Sequence, residues 1–179
     1  MADLLTGDQL GELLRTVQRS AFRLETRDRY NVLGEHTSFE RFMAGGRELD
    51  ASVSSGPWYD MTRRALDEGR PFCRVRVVSV PLGDYSRYAL WSAQGNLAAG
   101  EEIRYLDRER AAGLGLPVRP PVDAWLLGDE RVAVLKFDAD DVFTGAQLFE
   151  DPGIVEQHKA WRRIAWDASV SRDEFLRSL

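Results

Sequence analysis

The sequence contains one cysteine, two histidines and two lysines among 179 residues, and this scarcity excludes several kinds of chemistry. A single cysteine, Cys73, rules out an internal disulfide and a zinc site built from several thiolates of one chain. Only His36 and His158 are available for imidazole catalysis, and the sequence has neither a Gly-x-Ser-x-Gly elbow nor a phosphate-binding glycine loop. We therefore predict no catalytic residue, no metal site and no cofactor.

Long apolar runs are also missing, since 18 consecutive apolar residues occur nowhere. The first residues carry no basic segment ahead of an apolar run, so we expect a cytoplasmic protein without membrane contact. The net charge of −5 argues against direct nucleic-acid binding. Of the 24 basic residues only Lys136 and Lys159 are lysine, which is typical of a GC-rich bacterial genome, so the arginine content alone does not indicate a phosphate site.

The order of helical and extended patterns predicts an α/β (α+β) fold with a mixed sheet of about five to six strands flanked by helices. We expect a single domain over residues 1–179, with an N-terminal helical lobe over 1–70 and the sheet core over 71–179. Helices are predicted over 8–17, from 38 or 39 to 44, and over 57–69, 85–97, 107–114 and about 152–169, with a short one after 171. Strands are predicted over 21–25, 72–80, 102–106, 123–127, 131–137 and 142–149, the last three as an antiparallel meander.

Three stretches carry a resemblance to a known family: RVRVVSVPLGDYSRYALWSAQGNLAAGEEIRYLDRERAAGLGLP, DAWLLGDERVAVLKFD and DPGIVEQHKAWRRIAWDAS. They resemble an uncharacterised domain-of-unknown-function family of actinomycete-type bacteria. Members of that family are often encoded beside helix-turn-helix regulators and small partner proteins. The resemblance covers nearly the whole chain, and it implies a gene neighbourhood rather than an activity.

The element order is also similar, more distantly, to the phospholipase-D-like fold of hydrolases and sensor domains. In that fold a strand carries a His-x-Lys motif, in which the imidazole is the nucleophile and the lysine holds the phosphate. The corresponding stretch here, residues 122–125, has neither histidine nor lysine. The resemblance therefore implies a binding role without the hydrolytic residues.

One polar and aromatic cluster is a candidate ligand site, because strand ends and the helix starts that follow them form the usual crevice in such sheets. Arg76 and Arg104 would hold a carboxylate or phosphate, and aromatic rings would stack on a planar group. The alternative is that the charged residues form cross-strand ion pairs and the aromatic residues belong to the core. The candidate residues are Arg76, Tyr85, Arg87, Tyr88, Trp91, Glu102, Arg104, Asp123 and Trp125.

Two functions follow as hypotheses. The first is a non-catalytic regulatory or accessory protein that binds a partner protein, for example a neighbouring helix-turn-helix regulator, together with a small anionic ligand. Leu10, Leu14, Phe39 and Phe42 would offer the partner surface, unless they pack back on the sheet. The second is an enzyme acting on a small anionic or nucleotide-like substrate, with Asp123 or Glu102 as the acid–base group.

Overall fold

The computed structural model describes residues 4–49 and 54–179, which form a seven-stranded sheet with helices on both faces. The helices are α1 (Gly7–Thr16), α2 (His36–Met43), α3 (Pro57–Asp67), α4 (Asp84–Ala98), α5 (Arg108–Gly113), α6 (Pro152–Ala168) and α7 (Arg172–Ser178), with a 3₁₀ turn at Leu33–Glu35 before α2. The strands are β1 (Ala21–Glu25), β2 (Phe72–Val78), β3 (Glu102–Asp107), β4 (Ala124–Leu127), β5 (Arg131–Phe137), β6 (Phe143–Phe149) and β7 (Val170–Ser171).

The strands lie in the order β6-β5-β4-β1-β2-β3-β7. β1, β2 and β3 are parallel to one another, whereas β4, β5, β6 and β7 each pair in antiparallel fashion. The predicted mixed sheet flanked by helices and the predicted meander of β4 to β6 are therefore confirmed. The strand count is higher than predicted, because β7 has only two residues and is too short to show an alternating pattern.

Several helix starts are fixed by the capping residues that the sequence offers. Thr6 accepts a hydrogen bond from the backbone N–H of Gln9, whose side chain accepts one from the Thr6 N–H. Asp107 caps α5 in the same position, and Asp151 caps α6. These bonds satisfy N–H groups that the first helical turn would otherwise leave unpaired.

The two faces of the sheet carry different helices. The connections β1-to-β2 and β2-to-β3 place α3 and α4 on one face, together with α1, and we call this the α4 face. α5 and α6 cover the opposite face, which we call the α6 face. The core of the α6 face is apolar, and it includes Phe22, Leu24, Val75, Val77 and Leu126.

The N-terminal segment is part of the sheet rather than purely helical. β1 lies between β4 and β2, so residues 1–70 contribute a central strand as well as three helices to the described part of the molecule. Leu10 and Leu14 of α1 and Phe42 of α2 are buried, so three of the four proposed partner-contacting residues pack within the molecule. Among the residues described, no helix combines the length and apolarity that crossing a bilayer requires.

Candidate functional site

Charged side chains occupy the centre of the α4 face, where a sheet covered on both sides is usually apolar. The register places Arg23 of β1 beside Arg74 of β2, and one step further Glu25 beside Arg76. We call these four residues the central charge cluster. Only 12–15 % of each arginine side chain is exposed, and 3 % of the Glu25 side chain. Burying four charges costs free energy unless they are paired, so their partners decide what the site can do.

Glu25 is the anion that holds the three arginines together. Its Oε1 accepts a hydrogen bond from Arg74 Nη1 at 2.8 Å and lies 3.1 Å from Arg23 Nε. Its Oε2 accepts one from Arg76 Nε at 2.5 Å. Burial alone would raise the pKa of Glu25, but the three guanidinium groups outweigh it and hold the pKa far below the ordinary range. Glu25 is therefore expected to be a carboxylate at neutral pH.

A second carboxylate completes the pairing of Arg74. Glu101, just before β3, accepts a hydrogen bond from Arg74 Nε at 2.8 Å and is itself fully buried. Asn96 of α4 donates to the other Glu101 oxygen at 2.7 Å. Arg74 is thus clamped between two anions, and their charges raise its pKa despite its burial. The clamp leaves Arg74 rigid and largely saturated.

A third carboxylate, Asp123, lies beside the cluster just before β4. Its Oδ1 accepts hydrogen bonds from the backbone N–H and the hydroxyl of Thr26, at 2.7 and 3.1 Å. Its Oδ2 accepts one from the Tyr30 hydroxyl at 2.5 Å and lies 3.9 Å from Arg23 Nη2. Burial raises the pKa of Asp123, and Arg23 and Tyr30 oppose that rise. Both oxygens are occupied, so Asp123 anchors the neighbouring loop.

A cavity of about 740 Å³ lies between the central charge cluster and the helices above it. This volume is within the range of small-molecule sites, roughly 300–1,000 Å³. One part of its wall is apolar and aromatic, and the other is polar. The apolar lining includes Leu10, Leu14, Trp58, Trp125, Leu135 and Phe137, and the polar lining includes Glu35, Tyr59, Tyr85, Ser92 and Asn96.

Glu35, in the 3₁₀ turn before α2, is the fourth acidic residue of the site and lines the cavity together with Glu25. Its Oε2 accepts a hydrogen bond from the Tyr85 hydroxyl at 2.9 Å. Burial raises the pKa of Glu35 above the ordinary glutamate value, and Tyr85 and Arg76 offset only part of the rise. Glu35 therefore has the perturbed titration that is often found at functional sites.

The structure brings four of the nine predicted site residues together. Arg76, Tyr85 and Trp125 line the cavity, and Asp123 lies in the pairing network beneath it. Tyr88 and Trp91, one turn apart on α4, pack with Phe42 in an aromatic group. Arg87 is half exposed on the outer side of α4 and pairs with Asp84.

Contrary to what the sequence analysis expected, Arg76 and Arg104 do not share one anion site, because their side chains lie on opposite faces of the sheet. Arg76 is in register with Tyr105, so the preceding residue of β3, Arg104, points to the α6 face. There Arg104 donates to the Ser169 carbonyl at 2.6 Å and stacks over Trp166. Glu102 shares that face and is mostly exposed. These two residues therefore do not belong to the crevice that the sequence analysis assigned to them.

Sequence reasoning missed Arg23, Glu25, Arg74 and Glu35 as site residues. The alternation in AFRLE indicates that Arg23 and Glu25 share one face of β1, and the alternation in FCRVRVV indicates the same for the two arginines of β2. The register that aligns Glu25 with Arg76 is a tertiary property and is not encoded in either segment. Glu35 had no local signal, since its segment is a short polar turn.

No group of three or more His, Cys, Asp or Glu side chains in residues 4–49 and 54–179 is arranged to hold a metal ion. No curated protein matches the sequence. The model of a family described as a domain of unknown function, DUF6879, matches residues 8–177. This confirms the resemblance to an uncharacterised domain family. The chain belongs to the DUF6879 family of domains of unknown function.

Proposed function

We propose that this domain binds a small anionic ligand in the cavity over the central charge cluster and acts as a non-catalytic accessory or regulatory protein. One observation carries the proposal: three arginines lie side by side at the centre of a sheet and face a cavity of about 740 Å³. A cluster of this kind is costly to bury, and well-packed apolar residues would stabilise the same strands at least as well. A binding task accounts for its presence.

The donors left free in the cluster support an anionic ligand. Arg76 uses Nε for Glu25, and its two terminal nitrogens form no hydrogen bond with a described residue. Arg23 approaches Asp123 only at 3.9 Å. Guanidinium groups bind carboxylate and phosphate through two parallel N–H···O bonds, so Arg76 and Arg23 are the expected contacts.

The apolar part of the cavity sets the shape of the ligand. Its lining includes Leu10 and Leu14 of α1 together with Trp58 and Trp125, whose ring centroids lie 5.9 Å apart. An apolar or planar group buried there would add to the affinity of the anionic group. The ligand is therefore expected to carry an anionic end and an apolar or aromatic body.

A thermal-shift screen of carboxylates and phosphates, followed by calorimetry of the hits, tests the proposal. In Arg76→Met the affinity of a hit should fall at least about tenfold, equivalent to about 1.4 kcal/mol. The matched control is Arg104→Met, which removes the same charge from the opposite face and should leave the affinity unchanged. The proposal fails if no compound stabilises the protein, or if both variants weaken binding equally.

An enzyme is the second candidate, and Glu35 is the observation that favours it. Of the two acid–base groups proposed from the sequence, Asp123 has both oxygens occupied and Glu102 lies on the other face. Glu35 lines the cavity and has a raised pKa, and its Oε1 accepts no hydrogen bond from residues 4–49 and 54–179. Product formation from a hit, followed by NMR and abolished in Glu35→Gln, would establish this function instead.

The partner protein and the phospholipase-D-like topology stay predictions that rest on sequence resemblance. We expect the neighbouring helix-turn-helix regulator to associate with this domain. Co-expression of the two proteins, followed by size-exclusion chromatography, measures the association directly. Separate elution at micromolar concentrations would contradict a stable complex.

A further inference from the structure

The site contains more carboxyl groups than arginines, and a bound anion would increase this excess of negative charge. The three arginines, Arg23, Arg74 and Arg76, are matched by three carboxylates, namely Glu25, Glu101 and Asp123. Glu35 is a fourth carboxyl, and it forms no ion pair with any residue in the described part of the chain. An anion bound at Arg76 would therefore bring a second negative charge close to Glu35, where burial makes repulsion strong.

The unoccupied hydrogen-bonding atoms point to a ligand with two opposite charges. Glu35 accepts from Tyr85 through Oε2, and its Oε1 accepts no hydrogen bond from a described residue. The two terminal nitrogens of Arg76 likewise form no hydrogen bond within the described part of the chain, and the two side chains line the same cavity. A carboxyl oxygen of Glu35 and the guanidinium nitrogens of Arg76 are thus both available to one ligand in this cavity.

We propose that the cavity ligand is a zwitterion of the amino-acid type: Arg76 binds its carboxylate, Glu35 binds its protonated amine, and Trp58, Leu10 and Leu14 contact an apolar or aromatic side chain. This inference rests on the proposed ligand-binding function and names its ligand class. A zwitterion leaves the total charge of the site unchanged, and each of its charged groups meets a partner that is already buried and positioned.

The test uses the full chain and three matched series of probes in calorimetry. The first is the set of L-amino acids with apolar and aromatic side chains. The second is the same compounds without the amine, for example 3-phenylpropionate in place of phenylalanine, and the third is the same compounds without the carboxylate, for example phenethylamine. We expect an amino acid to bind at least tenfold more tightly than either of its analogues.

Glu35→Gln is the informative variant, because the amide keeps the shape of the side chain and can still accept from Tyr85. It should weaken the amino acid at least tenfold and leave the deaminated acid unchanged or bound more tightly. Thermal unfolding of the free variant checks that it folds. Tyr85→Phe, which removes the Glu35 hydrogen bond but no charge, should have a smaller effect on the amino acid.

The outcomes separate this inference from the function on which it rests. If the deaminated acids bind as tightly as the amino acids and depend on Arg76, the anion site stands and the zwitterion is wrong. If the amines bind alone and Arg76 has no effect, both the inference and the proposed function are overturned. If no probe binds, the zwitterion is wrong, and the screen of carboxylates and phosphates decides the proposed function. Equal loss of amino acid and deaminated acid in Glu35→Gln would also refute the role of Glu35.

Discussion

Strand β1 shows how differently the two faces of this sheet are built. Phe22 and Leu24 point to the α6 face and pack among apolar side chains under α6, whereas Arg23 and Glu25 point to the α4 face and the cavity. Strand β2 repeats the contrast, with Val75 and Val77 on one side and arginines on the other. Adjacent residues of one strand thus contribute alternately to an apolar core and to a polar site.

The two faces of the sheet are stabilised by different interactions. On the α6 face, apolar area is removed from water and stabilises the fold directly. On the α4 face, stability depends on every charge keeping its partner, since a buried ion pair that loses one member leaves the other uncompensated. The removal of a native charge should therefore cost less stability on the α6 face than on the α4 face.

The largest expected effect follows from removing the shared anion. Glu25→Gln leaves Arg76 without a carboxylate and Arg23 with only Asp123, 3.9 Å away, and should lower the free energy of unfolding by about 3–5 kcal/mol. Glu102→Gln is the control, because this carboxyl is mostly exposed on the α6 face and its loss should change stability by less than about 0.5 kcal/mol. Urea unfolding of both variants measures the difference. Equal effects would show that the two faces treat charge alike.

Cys73 gives the second test, because its thiol is partly buried against the apolar core of the α6 face, and Arg162 offsets only part of the effect of burial on its pKa. Burial, aided by Glu102, raises the pKa of its thiol to about 11. At pH 8 the folded protein should therefore react with a disulfide reagent at least about a hundredfold more slowly than the urea-unfolded chain. The rate of thiol release by absorbance measures this. Similar rates in the two states would contradict the burial of the thiol.

A smaller effect is expected from Arg104, the arginine of the α6 face. Arg104→Met removes hydrogen bonds to Ser169 and the stacking on Trp166, which should cost about 1–2 kcal/mol. It leaves no buried carboxylate without a partner, so the loss should stay well below that of Glu25→Gln. Thermal and urea unfolding give the values. A loss as large as that of Glu25→Gln would remove the distinction between the faces.

The sequence predicted most elements within a few residues, because their signals are local. The helix predicted over residues 85–97 is found at Asp84–Ala98, and the strand predicted over residues 131–137 is β5 itself. The alternation of β2 also placed Arg74 and Arg76 on one face, which the structure confirms. Local periodicity therefore determines which residues of one element share a face.

The site was harder to predict, since it depends on how elements are aligned. Arg76 and Arg104 look equivalent in two alternating strands, and a shift of one residue in register decides whether they share a face. Glu35 lies in a short turn whose position over the sheet follows only from tertiary packing. For the same reason the sequence predicts a strand that contains Arg23 and Glu25 but does not place these residues at a cavity. Residues of the site converge from segments that are far apart in the chain.

The smallest expected effect concerns Glu35, a carboxyl group of the α4 face that forms no ion pair with the residues that the structure describes. It faces Tyr85 and Tyr59 on α4 and α3, and Arg74, Arg76 and Glu25 on the sheet. Because burial raises its pKa in the folded state, the folded protein binds more protons than the unfolded chain between the ordinary and the raised pKa. Stability should therefore fall as the pH rises through that interval, by at most about 1.4 kcal/mol per pH unit.

Glu35→Gln should lack this decline, so the free energy of unfolding of the variant should increase relative to that of the unmodified protein as the pH rises. Urea unfolding at a series of pH values measures the gap between the two proteins. A gap that is constant with pH would mean that Glu35 titrates like an exposed carboxyl, and that the α4 face pairs its charges more completely than its contacts indicate.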